Sequence, residues 1–98
     1  MTAERIMELF KNEPAIRGLE LGKFKKGYQL FRHFFGGYDA DSPLARTEDG
    51  LFDIMLEKIR AYYEDKYRDH STQEISEENQ YRIDEILFRY EEQYHHYK

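Results

Sequence analysis

Apolar side chains recur at three- and four-residue intervals along most of the chain, the spacing of one face of an α-helix. In the second half, Leu51, Phe52, Met55, Leu56, Ile59, Tyr62, Tyr63 and Tyr67 form a stripe broad enough to meet two neighbours, which predicts a central helix over 48–68. Residues 69–75 read as a polar turn. Ser76 then offers a capping oxygen, and Glu77-Glu78 suit the positive end of a helix dipole, so a last helix starts there. Along it Ile83, Leu87, Tyr90, Tyr94 and Tyr97 are spaced 4, 3, 4 and 3, the interval of a seam against one partner helix. The two segments predict an antiparallel helical hairpin.

The first half carries the same spacing in shorter runs. Thr2 caps a helix expected over 3–11, with Ala3, Ile6, Met7 and Phe10 on one face, and Asn12 and Pro14 end it. Gly18 and Gly22 interrupt residues 13–22 and leave Ile16, Leu19 and Leu21 as an apolar connector. Phe24, Tyr28, Phe31 and Phe35, beside Leu30 and Phe34, predict a helix over 23–35 that buries those rings and stops at Gly36-Gly37. Residues 38–50, with Asp39, Asp41, Ser42, Pro43 and Asp49, read as the longest loop.

Composition points the same way. Ala, Glu, Lys, Leu, Arg, Gln and Met make up 48 of 98 residues, while the β-branched set is seven Ile and three Thr with no Val, so helix propensity dominates. The expected fold is all-α: one domain over residues 1–98, a small four-helix bundle of two short and two long helices that ends in the hairpin. Without Cys there is no disulfide framework, thiol nucleophile or Cys-ligated metal. No apolar run approaches the roughly 18 to 20 residues that span a bilayer, and residues 1–5 lack the pattern of a secretory start. No membrane association and a cytoplasmic setting are expected.

The net charge of −5 is unevenly divided. Residues 1–38 hold seven basic residues against four acids, whereas residues 39–98 hold eight against sixteen. An outward-facing hairpin would attract basic protein and repel nucleic acid. Part of this charge is simple solvation, since Glu78 and Arg82, Glu85 and Arg89, and Glu64 and Arg68 stand at i,i+4.

Candidate chemistry is sparse. Lys23, Lys25, Lys26 and Arg32, with His33, interleave with Phe24, Tyr28, Phe31 and Phe34, a pattern in which cations meet phosphates and rings stack on bases. A shared helical face would bury those rings, and the acidic chain opposes phosphate, so nucleic acid is the less favoured partner. Glu92 and His95 supply half of a di-iron pattern, and Asp39, Asp41 and Asp49 lack a calcium loop's oxygen ligand and glycine where Pro43 and Leu44 stand. No metal or other cofactor is expected. Ser42, Ser71 and Ser76 occupy turn and cap positions and no phosphate-cradling glycine motif occurs, so no enzyme is expected.

The tyrosines carry the sharpest expectation. Seven of nine, Tyr62, Tyr63, Tyr67, Tyr81, Tyr90, Tyr94 and Tyr97, fall on the two acidic helices, and Tyr is enriched where proteins meet. Tyr63, Tyr67 and Tyr81, with Glu64, Asp65, Glu77 and Glu78, are expected to form an aromatic patch with an acidic rim. In size, acidity and adjacent tyrosines the chain is similar to the immunity proteins that neutralise colicin nucleases. Their loop-borne tyrosine pair followed by Pro is not matched, because Tyr62-Tyr63 precedes Glu64 within a helix. The expected function is a small non-catalytic interaction module, an adaptor or inhibitor, that docks a protein partner through the hairpin. The alternatives are a nucleic-acid-associated regulator using residues 23–35 and a homodimeric accessory protein whose tyrosine seam pairs with its own copy.

Overall fold

Each helix begins where a short hydroxyl side chain accepts a hydrogen bond from an exposed amide three residues on. In the computed structural model, which describes residues 1–97 and the last of these by its backbone alone, Thr2 accepts from Arg5 N–H at 3.2 Å and opens α1 (Ala3–Leu9). Thr47 accepts from Gly50 N–H at 3.0 Å and opens α2 (Glu48–Tyr67). Ser76 accepts from Asn79 N–H at 3.1 Å and opens α3 (Glu77–Tyr97). Acids fill the first turn of both long helices, where the helix dipole favours them. The seam position expected for the Tyr97 ring and the tail residue Lys98 lie outside the described residues.

The two long helices run antiparallel. Phe52 near the start of α2 stacks on Tyr94 near the end of α3 at 3.9 Å between ring centroids, and Arg60 meets Asp84 at 3.5 Å halfway along. The buried face of α2 is Leu51, Phe52, Met55, Ile59 and Tyr63, wide enough to touch α3, α1 and the sheet at once. Ile6, Phe10, Leu30, Leu51, Met55, Ile59 and Ile83 are the largest side chains fully withdrawn from water.

The all-α four-helix bundle is overturned. Where a helix over 23–35 was expected, the chain forms a three-stranded antiparallel sheet of β1 (Leu19–Phe24), β2 (Gly27–Phe34) and β3 (Gly37–Ala40), in that order. The connector 13–22 ends in β1, and the loop 38–50 begins with β3 and adds a bridge between Ala45 and Tyr28. The protein is therefore mixed, three helices and a three-stranded sheet, with α2 packed against β2 and α1 and α3 packed on α2. The rings at 24, 28, 31 and 35 match a helical period, yet residues 28 to 33 also alternate. Tyr28, Leu30 and Arg32 face the helices, whereas Gln29, Phe31 and His33 face away. Aromatic side chains favour the pleated surface. A helix would also have carried Gly27 in its interior, at about 1 kcal/mol against Ala.

Gly27 closes the first hairpin after Lys25-Lys26, and its φ of +145° is a conformation that side chains rarely adopt. It also lies against the 45–46 backbone, where a Cβ would sit 2.9 Å from Arg46 Cα and closer still to the Ala45 carbonyl oxygen. Tyr28 and Ala45 exchange two backbone hydrogen bonds of 2.7 Å there, which fastens the sheet to the segment entering α2.

Among the described residues one charged side chain is buried. Glu13 is 4% exposed, in the turn after α1, and its carboxylate accepts from Tyr63 Oη at 2.9 Å, Tyr90 Oη at 3.1 Å and Ala15 N–H at 3.0 Å. This triad ties the turn to both long helices. Burial, and then the bond to Glu13, pushes the Tyr63 phenol well above its usual range. Tyr90 is raised by burial and the Glu13 charge, and Tyr94 by burial and its bond to Asp49. A folded-state pKa above the unfolded value means stability that is complete below the unfolded pKa and lost as pH rises through the folded one. Unfolded tyrosines ionise near about pH 10. Denaturant midpoints should therefore hold steady up to about that pH and fall above it, with Tyr63→Phe flattening the fall. A midpoint that does not decline at high pH would contradict this reading of the triad.

Candidate protein-binding surfaces

The alternation that builds the sheet also sorts its side chains by face. Leu19, Leu21 and Lys23 of β1 share the inner face with Tyr28, Leu30 and Arg32 of β2, so the outer face receives Glu20, Gly22, Phe24, Gln29, Phe31 and His33. Tyr38 pairs with His33 and Ala40 with Phe31, which brings a third row to the same face. Phe24 and Phe31 meet edge to face at 6.0 Å, and His33 and Tyr38 lie 4.7 Å apart. Gly22 leaves room for the first pair, since the Phe31 and Phe24 rings occupy the space of its missing Cβ. Glu20, Leu21, Phe31 and Tyr38 line a shallow depression of about 280 Å³.

No helix covers these rings. Phe24 is 54% exposed and Tyr38 57%, and Phe35, at the two-residue turn between β2 and β3, is fully exposed beside the half-exposed Phe34. The rings stand on a hydrogen-bonded scaffold, so little conformational entropy opposes their use in binding. The expectation that Phe24, Tyr28, Phe31 and Phe35 share a buried helical face is corrected. Of these, Phe24 and Phe35 are exposed, Phe31 and Tyr28 are partly buried, and the residue that enters the core is Leu30.

The basic residues of this segment mostly lie on the other side. Lys23, on the inner face, pairs with Glu4 of α1. Arg32, also inward, meets Asp41 at 3.4 Å, and Asp41 is shared with Lys58 of α2 at 3.1 Å. Lys25 and Lys26 stand exposed at the hairpin turn and make no ion pair among the described residues. The proposed nucleic-acid residues are thus divided between two faces, with two of the four beside the rings.

The acidic hairpin is divided too. Tyr63 is 8% exposed, so its ring is core rather than patch. Tyr67 is half-buried and stacks on Tyr63 at 5.9 Å, with Lys66 Nζ 5.8 Å from both ring centroids. Glu64 is half-buried, whereas Asp65, Glu77, Glu78 and Tyr81 are exposed. Tyr81 is 69% exposed, and among the described residues no ring contact joins it to Tyr63 or Tyr67. Its aromatic companion is Phe88, two turns further along α3, on the side opposite Ile83 and Leu87 and flanked by Glu77, Glu85 and Glu92. Arg82 and Arg89 of that helix are occupied by Glu78 and Glu85, at 3.1 and 2.8 Å.

The sequence held one signal for the outer face that the helical reading passed over. Gly22, Gly27 and Gly36-Gly37 mark the bend and ends of two hairpins around an aromatic run. Among the described residues no helix is long and apolar enough to cross a membrane, and no three His, Asp or Glu side chains gather as metal ligands. Comparison with protein-family models, with curated proteins and with solved structures finds no match to this chain.

Proposed function

We propose that this chain is a protein-binding module and that its principal contact is the outer face of the sheet, with Phe24, Phe31, His33 and Tyr38 as anchors and Phe35, in the turn after β2, at one end. The observation that carries the reading is the bareness of that face. Soluble proteins seldom leave a contiguous apolar patch of this kind in water unless something docks there. Aromatic anchors in a rigid setting are also the residues on which binding energy concentrates. A protein partner is favoured over a nucleic-acid strand because Lys23 and Arg32 are held on the opposite face, which leaves few cations to neutralise phosphates beside the rings. In this reading the hairpin of α2 and α3 serves first as the support for the sheet, and Tyr63 acts within it.

The test places a photoreactive phenylalanine analogue at position 38, and for comparison at the exposed polar position 71, in otherwise intact protein in its native cell. Adducts to a discrete protein are expected from position 38 and not from position 71. Phe31→Ser with Phe24→Ser should remove them while leaving the circular dichroism spectrum unchanged. Equal yields at the two positions, or adducts with nucleic acid alone, would overturn the proposal.

A further inference from the structure

Two faces of this molecule lack a neighbour, and they carry opposite charge. At the bare face of the sheet the cations are Lys25 and Lys26 at the hairpin turn, against Glu20 on the face itself, since Lys23 and Arg32 are turned inward to Glu4 and Asp41, whereas residues 77–97 of α3 hold six acids against two basic residues. The first presents the aromatic outer face, with Lys25 and Lys26 at its edge. The second presents Tyr81 and Phe88 with Glu77, Glu85 and Glu92 around them. Within one subunit they cannot meet, because the sheet's inner face is turned to the helices and the buried side of α3 is turned to α2 and α1.

We infer that the occupant of the sheet face is a second copy of this chain, which lays the outer stripe of its α3 across Phe24, Phe31 and Tyr38. This rests on the sheet-face reading above and names the partner. A helix on a sheet is a standard layer packing, and the outer face of this sheet leaves Phe24 and Tyr38 exposed. Tyr81 and Phe88 are spaced for successive contacts along one helical line, and the acids along it carry charge opposite to that of Lys25 and Lys26. The contact joins two different surfaces of the chain. It therefore repeats into a ring or an open chain, or closes on itself when two copies make the contact reciprocally. Lys25 and Lys26 are exposed, so the attraction is screened within a Debye length of about 10 Å at 0.1 M salt and the assembly weakens as salt is added.

Sedimentation velocity of the full chain over a concentration series, at low and moderate salt, tests this. The mean mass is expected to rise above the monomer with concentration, and to rise less at higher salt. Lys25→Glu with Lys26→Glu should weaken association by roughly tenfold or more. Glu77→Lys with Glu92→Lys should do the same, and the four substitutions together should restore association. These positions are exposed and make no ion pair among the described residues, and an unchanged circular dichroism spectrum is required of each variant because Glu77→Lys places a cation at the positive end of the α3 dipole. A monomer at every concentration overturns the inference, as does association that neither charge reversal alters. Failure here is distinct from failure of the binding reading: photoadducts from position 38 to a different protein, with the chain itself monomeric, leave the sheet face in use and remove the second copy from it.

Discussion

Glu13→Ala should destabilise the protein by about 3 kcal/mol, because it strands buried donors that each cost about 1 to 3 kcal/mol when unpaired. The carboxylate is the acceptor for two phenols and one backbone amide, and none of these donates elsewhere among the described residues. A fall of this size lowers the melting temperature by more than about 10 °C in a domain of this length. Glu13→Gln keeps one acceptor oxygen but turns an amide donor toward the second phenol, so it should lose less. Tyr63→Phe removes a donor rather than an acceptor, and combined with Glu13→Ala its effect should be less than additive, since the two substitutions break the same bond. Thermal melts of the four proteins check this. An Ala variant that melts within a few degrees of wild type would show that the triad does not hold the turn to α2 and α3.

Gly27→Ala should be as damaging for a different reason. The added methyl meets the backbone of Ala45 and Arg46, which cannot swing away as a side chain could, and the φ of +145° is strained for any L-residue. Relief requires the Tyr28–Ala45 bridge to open, and with it go two backbone hydrogen bonds and the seating of the segment that leads to the Thr47 cap. The variant is expected to lose about 3 kcal/mol or more, the range of large backbone and overpacking effects. Gly36→Ala is the matched comparison, because it also has positive φ, at +103°, but nothing within 4 Å of the added carbon. It should cost about 1 kcal/mol, from strain alone. Equal losses at the two glycines would mean that close approach at position 27 contributes nothing.

The helices and the sheet differed in how far they could be read in advance. The stripe from Leu51 to Tyr67 and the Ser76 cap are local signals, and α2 and α3 begin within a residue of where those signals place them. The run from Phe24 to Phe35 carried two periods at once. The one that prevails is the one that lets Leu30 reach Leu51, Met55 and Ile59 in a shared core while Gly27 turns the chain, a condition set by residues distant in sequence. The candidate site went the same way. Aromatic excess and charge polarity were visible as composition. Which rings stay dry was not, because Tyr63 is buried by Glu13, fifty residues away, and Phe24 is exposed by strand pleat.

By itself, then, the sequence determined the two long helices, the Ser76 cap, their antiparallel pairing and the separation of basic from acidic segments, since each follows from periods, a hydroxyl and charges within a few residues of one another. Tertiary structure decided the rest. It chose strands over a helix for residues 19–40, withdrew Tyr63 onto a buried carboxylate, and left Phe24, Phe31 and Tyr38 on a bare face, because which side of a pleated strand faces water depends on what the remainder of the chain brings to the other side.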